Sequence, residues 1–263
     1  MKKFMKVLTM VLCLSLVVLS FAACGNDAAD NGTAQNDGKF TMETLKIGTN
    51  AEFPPFEFVD AELGVIDEFA GIDMEIIKEV ATSIDATPVI NNMDFDGLLL
   101  ALGNGQVDAV IAGMTVTPER AEQVDFSEPY YTATQVMIVP QDSTIAVAAD
   151  MADKKIGVID GYTGQTCVED LGYDFSGYRK GTDAVLDLAN GKLDVVVIDS
   201  ATAEKFIADN EGLKVVEDAE AFGAEEYAIA VKKGNTDLLN AINARIKEMK
   251  ENGTVSEISA KYN

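Results

Sequence analysis

Histidine is absent from this chain, and with it go the commonest general base and the commonest transition-metal ligand. A zinc site and a Ser-His-Asp triad are thereby excluded, and no cofactor is expected. Cysteine is scarce: Cys13 lies in the apolar leader and Cys24 at its end, which leaves Cys167 without an intramolecular partner. No disulfide framework can form, so the fold must rest on a hydrophobic core, which a chain of 263 residues can build. Basic residues are also few, 20 Lys and Arg against 44 Asp and Glu, a net charge of −24. Residues 1–23 hold three of the lysines and no acid, so the remainder sets 17 basic residues against 44 acidic ones, a net of −27. Such a chain does not hold nucleic acid or anionic lipid by charge, and the surplus reads first as a solvated acidic surface.

What is present begins with Lys2, Lys3 and Lys6, followed by an apolar run from Val7 to Ala23 and then Cys24. Charged, apolar and small segments in that order make a secretory signal. The step Ser20-Phe21-Ala22-Ala23-Cys24 suits lipoprotein processing, with the Cys24 thiol diacylated and anchored to the cell membrane, although Phe21 stands where Leu is usual. The alternative is an uncleaved span, since about 20 apolar residues cross a bilayer. Residues 24–39 are polar, without apolar periodicity, and read as a flexible tether.

From Leu45 onward short β-branched runs alternate with helical patterns, the order of parallel sheets covered by helices. Strands are expected at 45–49, 87–90, 107–113, 155–159, 194–198 and 226–231, and helices at 71–84, 95–102 and 182–189. Near the end Leu239, Ile242, Ile246 and Met249 recur at helical spacing as core residues, with Gly253 as a stop. An internal match sets Leu102 to Ile111 against Leu188 to Val197, 86 positions later, each a helix end, an Asn-Gly turn and an Asp before an apolar strand. Duplication and a shared αβ solution explain it equally well. Either way Gly113 and Asp199 fall at corresponding places past a strand's carboxyl end, where open α/β sheets bind ligands.

Several residues there carry chemistry. Thr115-Val-Thr117-Pro118-Glu119-Arg120 puts Pro118 at a helix start and Arg120 in its first turn. Arginine grips a carboxylate through two parallel hydrogen bonds, although an exposed arginine is ordinary. Asp199 precedes a helix and on spacing alone is an N-cap. Gly161-Tyr162-Thr163-Gly164 opens another helix after a strand, a place for backbone N–H groups to face an anion. Pro54 and Pro55 stop the first strand and fix Phe53 in a rigid loop, as a ligand wall or as a plain hydrophobic anchor.

Taken in order, Ile47 to Glu57, Gly71-Ile-Asp73, Asp108 to Thr115, Thr117 to Arg120, Asp125 to Tyr131, Gly161 to Gly164 and Met249 to Thr254 resemble one family. It is the amino-acid-binding proteins of polar amino acid ABC importers, bacterial extracellular solute-binding protein family 3. The resemblance implies an α/β, two-lobed periplasmic-binding-protein-like fold with two hinge strands. Lobe 1 is then 40–133 plus 226–263 and lobe 2 is 134–225. It also implies a monomer that captures a free amino acid outside the cytoplasm and passes it to the permease subunits of an ABC importer.

Carried over by position, Arg120 pairs with the ligand carboxylate, helped by Thr115 and the backbone of Thr163. Asp199 and the carbonyl of Gly113 hold the ammonium. Phe53 and Phe95 sandwich the ligand, and Asn50 faces its side chain. Tyr162, Ala112 and Asn50 depart from the family's usual Thr, Ser and Asp, which leaves the ligand's identity open. No Lys or Arg stands in the loops around Asn50, Phe95, Gly113 and Gly161, and Asn50 both donates and accepts, so the expectation is a neutral polar or sulfur-containing amino acid. A cationic amino acid is the alternative. A dehydratase-like enzyme on the same scaffold is the more distant rival, with Glu52 or Glu57 as its acid or base.

Overall fold

Strand formation follows burial on both faces. Thr44–Thr49 buries Leu45 and Ile47 completely, pairs in parallel with Thr87–Asn92 on one side and meets Ala109–Val110 on the other. Ala230–Lys232 and Val124–Phe126 join antiparallel and complete a five-stranded sheet. The computed structural model describes residues 39–208 and 210–262, so the expected signal, Cys24 and tether positions 24–38 lie outside the described residues. Helix Ile72–Ser83 covers this sheet with Ile72, Ile76, Ile77 and Val80, the stripe that helical periodicity demands. It starts at Gly71, whose φ is 121° and where any Cβ would lie 2.1 Å from the carbonyl oxygen of Phe56, so no larger residue fits.

A second sheet runs in the order Phe175–Tyr178, Ile156–Ile159, Val195–Asp199, Tyr131–Pro140, Leu213–Val216. Val195–Asp199 is buried along its whole length, as a central strand covered on both faces must be. Ala224–Tyr227 pairs antiparallel with the first half of Tyr131–Pro140, and three residues later the chain is in the first sheet as Ala230–Lys232. The chain therefore passes between the sheets twice, once after Phe126 and once after Tyr227.

The internal match has a physical basis. Asp108 accepts from the N–H of Lys46 at 2.8 Å while its own N–H donates to the Lys46 carbonyl, and Asp194 repeats both bonds with Lys155. Gly105 and Gly191 take the left-handed turns, φ 71° and 72°.

Some expectations need correction. The strand expected over 107–113 is only Ala109–Val110, because the chain leaves the sheet toward Gly113, whose N–H is drawn to Asp73. In helix Thr236–Glu251 it is Leu238 that is buried with Ile242, Ile246 and Met249, while Leu239 is half-covered. The strand expected over 226–231 is two strands in two sheets. Cys167 is unpaired, and burial pushes its thiol up to about 11. Among the described residues no helix is long and apolar enough to cross a membrane.

Candidate functional site

Six of the residues singled out above converge. Phe95, Gly113, Thr115, Arg120, Thr163 and Asp199, joined by Tyr162, line one cavity between the two sheets, whose free volume is about 10 Å³. Asn50 and Phe53 reach it through Tyr162: the phenol donates to Asn50 Oδ1 at 3.2 Å, and its ring meets Phe53 edge-on at 5.3 Å.

Arg120 is held by local structure. Thr117 caps the short helix Pro118–Gln123, its hydroxyl accepting from the Arg120 N–H at 3.2 Å, with Pro118 at the first turn. The side chain turns inward, against the reading of an exposed arginine. One terminal nitrogen donates to the Thr115 carbonyl at 2.8 Å and the other to the Gly161 carbonyl at 2.9 Å, so the group joins the two sheets. Its guanidinium lies 5.3 Å from the centre of the Phe95 ring. Burial lowers its pKa while Asp199 and Glu225 oppose that shift. Two of five guanidinium N–H donors are engaged, which leaves three for a ligand.

Asp199 ends the strand Val195–Asp199 and is only 3% exposed. Its Oδ1 accepts from the Tyr227 hydroxyl. Burial first, and the charge of Glu225 second, raise its pKa from the ordinary 3.8 to about 7, against the pull of bonds from Tyr227 and Gln135. Glu225 itself is the main residue that sequence reasoning missed. Its Oε2 accepts from Thr163 Oγ1 at 2.7 Å, Thr115 Oγ1 at 2.9 Å and Gln135 Nε2 at 3.3 Å. Nothing in the acidic stretch from Glu217 to Glu226 distinguishes this carboxylate from its solvated neighbours.

Gly113 takes φ 51°, and a Cβ there would lie 2.6 Å from the Phe53 ring. Its N–H donates to Asp73 Oδ2, which also accepts from the Tyr130 hydroxyl, each at 2.9 Å. Burial raises Asp73 to about 6 while those two donors pull it down. Glu57 is wholly buried beside it, and burial followed by the Asp73 charge raises its pKa well above the ordinary carboxylate value. Neither acid proposed for an enzyme is free: Glu57 has no exposed surface, and Glu52 is paired with Lys180 at 2.6 Å. A second ion pair, Arg179 with Asp94, also joins the two sides. Among the described residues no group of three or more Cys, Asp or Glu side chains is placed to hold a metal ion.

Asn50 is partly committed. One of its two Nδ2–H donors goes to the Met93 carbonyl at 2.9 Å, and its Oδ1 accepts from the Tyr162 hydroxyl.

A family model describing bacterial extracellular solute-binding proteins, family 3, matches residues 45–263. The chain belongs to this family. A probable histidine-binding protein of Neisseria gonorrhoeae is 32% identical over 95% of this chain and 92% of its own length. The arginine-binding extracellular protein ArtP of Bacillus subtilis is 31% identical, covering 98% of both chains. Among solved structures, the arginine-, lysine-, histidine-binding protein ArtJ of Geobacillus stearothermophilus superposes with a TM-score of 0.78 at 32% identity, covering 84% of this chain and 95% of that one. The family-3 chain is thus an α/β, two-lobed, extracytoplasmic amino-acid-binding protein of the ABC-transporter class.

Proposed function

We propose that this family-3 protein captures a cationic amino acid, arginine before lysine or histidine, and delivers it to the permease of an ABC importer. The observation that carries this reading is the end of the cavity at Asn50. Asn50 Oδ1, an acceptor that meets the same Tyr162 ring as Phe53 and Phe95, suits a ligand group that donates and is positively charged. The neutral or sulfur-containing side chain expected above rested on the lack of Lys and Arg in the loops and on Asn50 donating as well as accepting, and the Met93 carbonyl engages one of the two Asn50 N–H donors. The names of the histidine- and arginine-binding relatives support the same direction.

In this reading Arg120 and the backbone N–H of Thr163, at the start of helix Thr163–Asp170, take the ligand carboxylate. The Thr115 and Thr163 hydroxyls stay with Glu225. Asp199 and the Gly113 carbonyl take the ammonium. Glu225 adds a second negative charge near Asp199, so one resident guanidinium faces two carboxylates and a net positive ligand restores the balance. Calorimetric titration with arginine, lysine, histidine, glutamine, cystine and glutamate tests the proposal. Arginine or lysine should bind at least tenfold tighter than glutamine, and tightest binding of glutamine, cystine or glutamate would sink it. The protein acts as a monomer tethered through diacylated Cys24. Labelled palmitate should enter the wild-type chain in cells and be absent from Cys24→Ser, and equal labelling of both would refute the anchor.

A further inference from the structure

Tyr162 belongs to the second sheet's side of the molecule, at the entry to helix Thr163–Asp170, yet every partner named for its ring and hydroxyl lies on the other side. Its ring centre is 5.3 Å from that of Phe53 and 4.4 Å from that of Phe95, its hydroxyl donates to Asn50 Oδ1, and the residue is 7% exposed. Phe53, Phe95 and Asn50 are the three residues assigned above to the ligand's side chain. The tyrosine thus makes the contacts a ligand side chain would make: an apolar body against two aromatic rings and a donor at the tip for the Asn50 oxygen. With it in place the cavity has about 10 Å³ left, room for about one water molecule.

We propose that Tyr162 is a specificity-determining residue, a resident occupant of the side-chain subsite that an incoming ligand must displace. The proposal rests on the assignment of Asn50, Phe53 and Phe95 to the ligand side chain. Displacement exposes two aromatic faces and leaves the Asn50 oxygen without its donor. A ligand regains these only with a side chain long enough to reach Asn50, able to donate there and able to lie against a ring, which a guanidinium does and a short aliphatic chain does not. Because Tyr162 bridges the two sides, it also favours their approach before ligand arrives. Measured affinity is then the intrinsic affinity reduced by the fraction of molecules with the subsite free.

Two variants test this by calorimetry with arginine and by small-angle scattering without added amino acid. Tyr162→Ala removes the occupant, and Tyr162→Phe keeps the ring but removes the bond to Asn50. Tyr162→Ala should bind arginine at least threefold tighter than wild type and have a larger radius of gyration without ligand. Tyr162→Phe should fall between the two in affinity, and decides the matter if the alanine variant does not fold. A gain below threefold in the alanine variant, or weaker binding in either, would overturn the proposal and make Tyr162 a wall of the occupied site. An unchanged radius in Tyr162→Ala would overturn it as well. If neither wild type nor variant binds any cationic amino acid, the proposed function fails, and the scattering result alone then decides the role of Tyr162.

Discussion

At the residue scale the proposed function sets two unlike requirements, a planar cation for a carboxylate and a buried acid for an ammonium. Arg120→Lys keeps the charge but replaces a fork with a point, so arginine affinity should fall at least tenfold by calorimetry, roughly 1.4 kcal/mol or more. A change under threefold would remove Arg120 from the ligand's carboxylate. Asp199, to which the proposed function assigns the ammonium, is expected to make binding depend on pH. Its folded pKa of about 7 lies above the ordinary 3.8, so between those values the folded protein holds a proton the unfolded chain lacks. Its contribution to stability is therefore greatest at acid pH and declines as pH rises toward 7. Ligand affinity runs the other way, because an ammonium needs the carboxylate. Arginine binding should strengthen as pH rises from about 5 to about 8, by at most about tenfold per unit, with proton release on binding. Removing the neighbouring charge in Glu225→Gln should move the midpoint of that profile to lower pH. A midpoint that stays where it is would show that Glu225 does not set it.

The elements decide where these groups point. Helix Pro118–Gln123 has only six residues and buries none of them, so its cap matters more than its packing. Thr117→Ala should cost about 0.5–2 kcal/mol, which at about 2–4 °C per kcal/mol lowers the melting temperature measurably, and should loosen Arg120 and weaken binding. Thr117→Ser should restore both. If stability falls while affinity is untouched, the helix start does not position Arg120. Much of this scale was readable in advance: the Pro118 start, the Asn-Gly turns, and the strand that carries Asp199. The split of 224–232 between two sheets was not, since a run of apolar and β-branched residues does not record which edge it pairs with.

For the whole molecule, range and magnitude separate the short ion pairs that join the two sides from the net charge that acts on an approaching ligand. The pairs Lys180 with Glu52 and Arg179 with Asp94 are half-exposed, and such pairs contribute about 0–1 kcal/mol each. Lys180→Ala should therefore change arginine affinity by less than about fivefold, and a larger loss by calorimetry would mean that Lys180 touches the ligand. The net charge of −24 acts at longer range. Stopped-flow association rates for arginine should fall as salt rises, whereas those of a neutral amino acid should stay nearly flat, because only a charged ligand is steered and salt shortens that reach. Equal salt dependence for the two would argue against a cationic cargo steered by the acidic surface.

From the sequence alone came the alternation of strands and helices, the absence of disulfide and histidine chemistry, and the ordered motifs whose resemblance to family 3 singled out Arg120, Asp199, Phe53 and Phe95. Periodicity and turn chemistry are local properties, set by near neighbours in the chain. Only the tertiary structure decided that Asn50 presents an acceptor, that Glu225 gathers the hydroxyls of Thr115 and Thr163, and that Tyr162 lies between Phe53 and Phe95. Each joins groups far apart in sequence, Tyr162 and Asn50 by 112 positions, and no local pattern encodes which way a side chain turns once two sheets meet. Burial then raised the pKa of Asp199, because desolvation belongs to the assembled cleft and not to the residue.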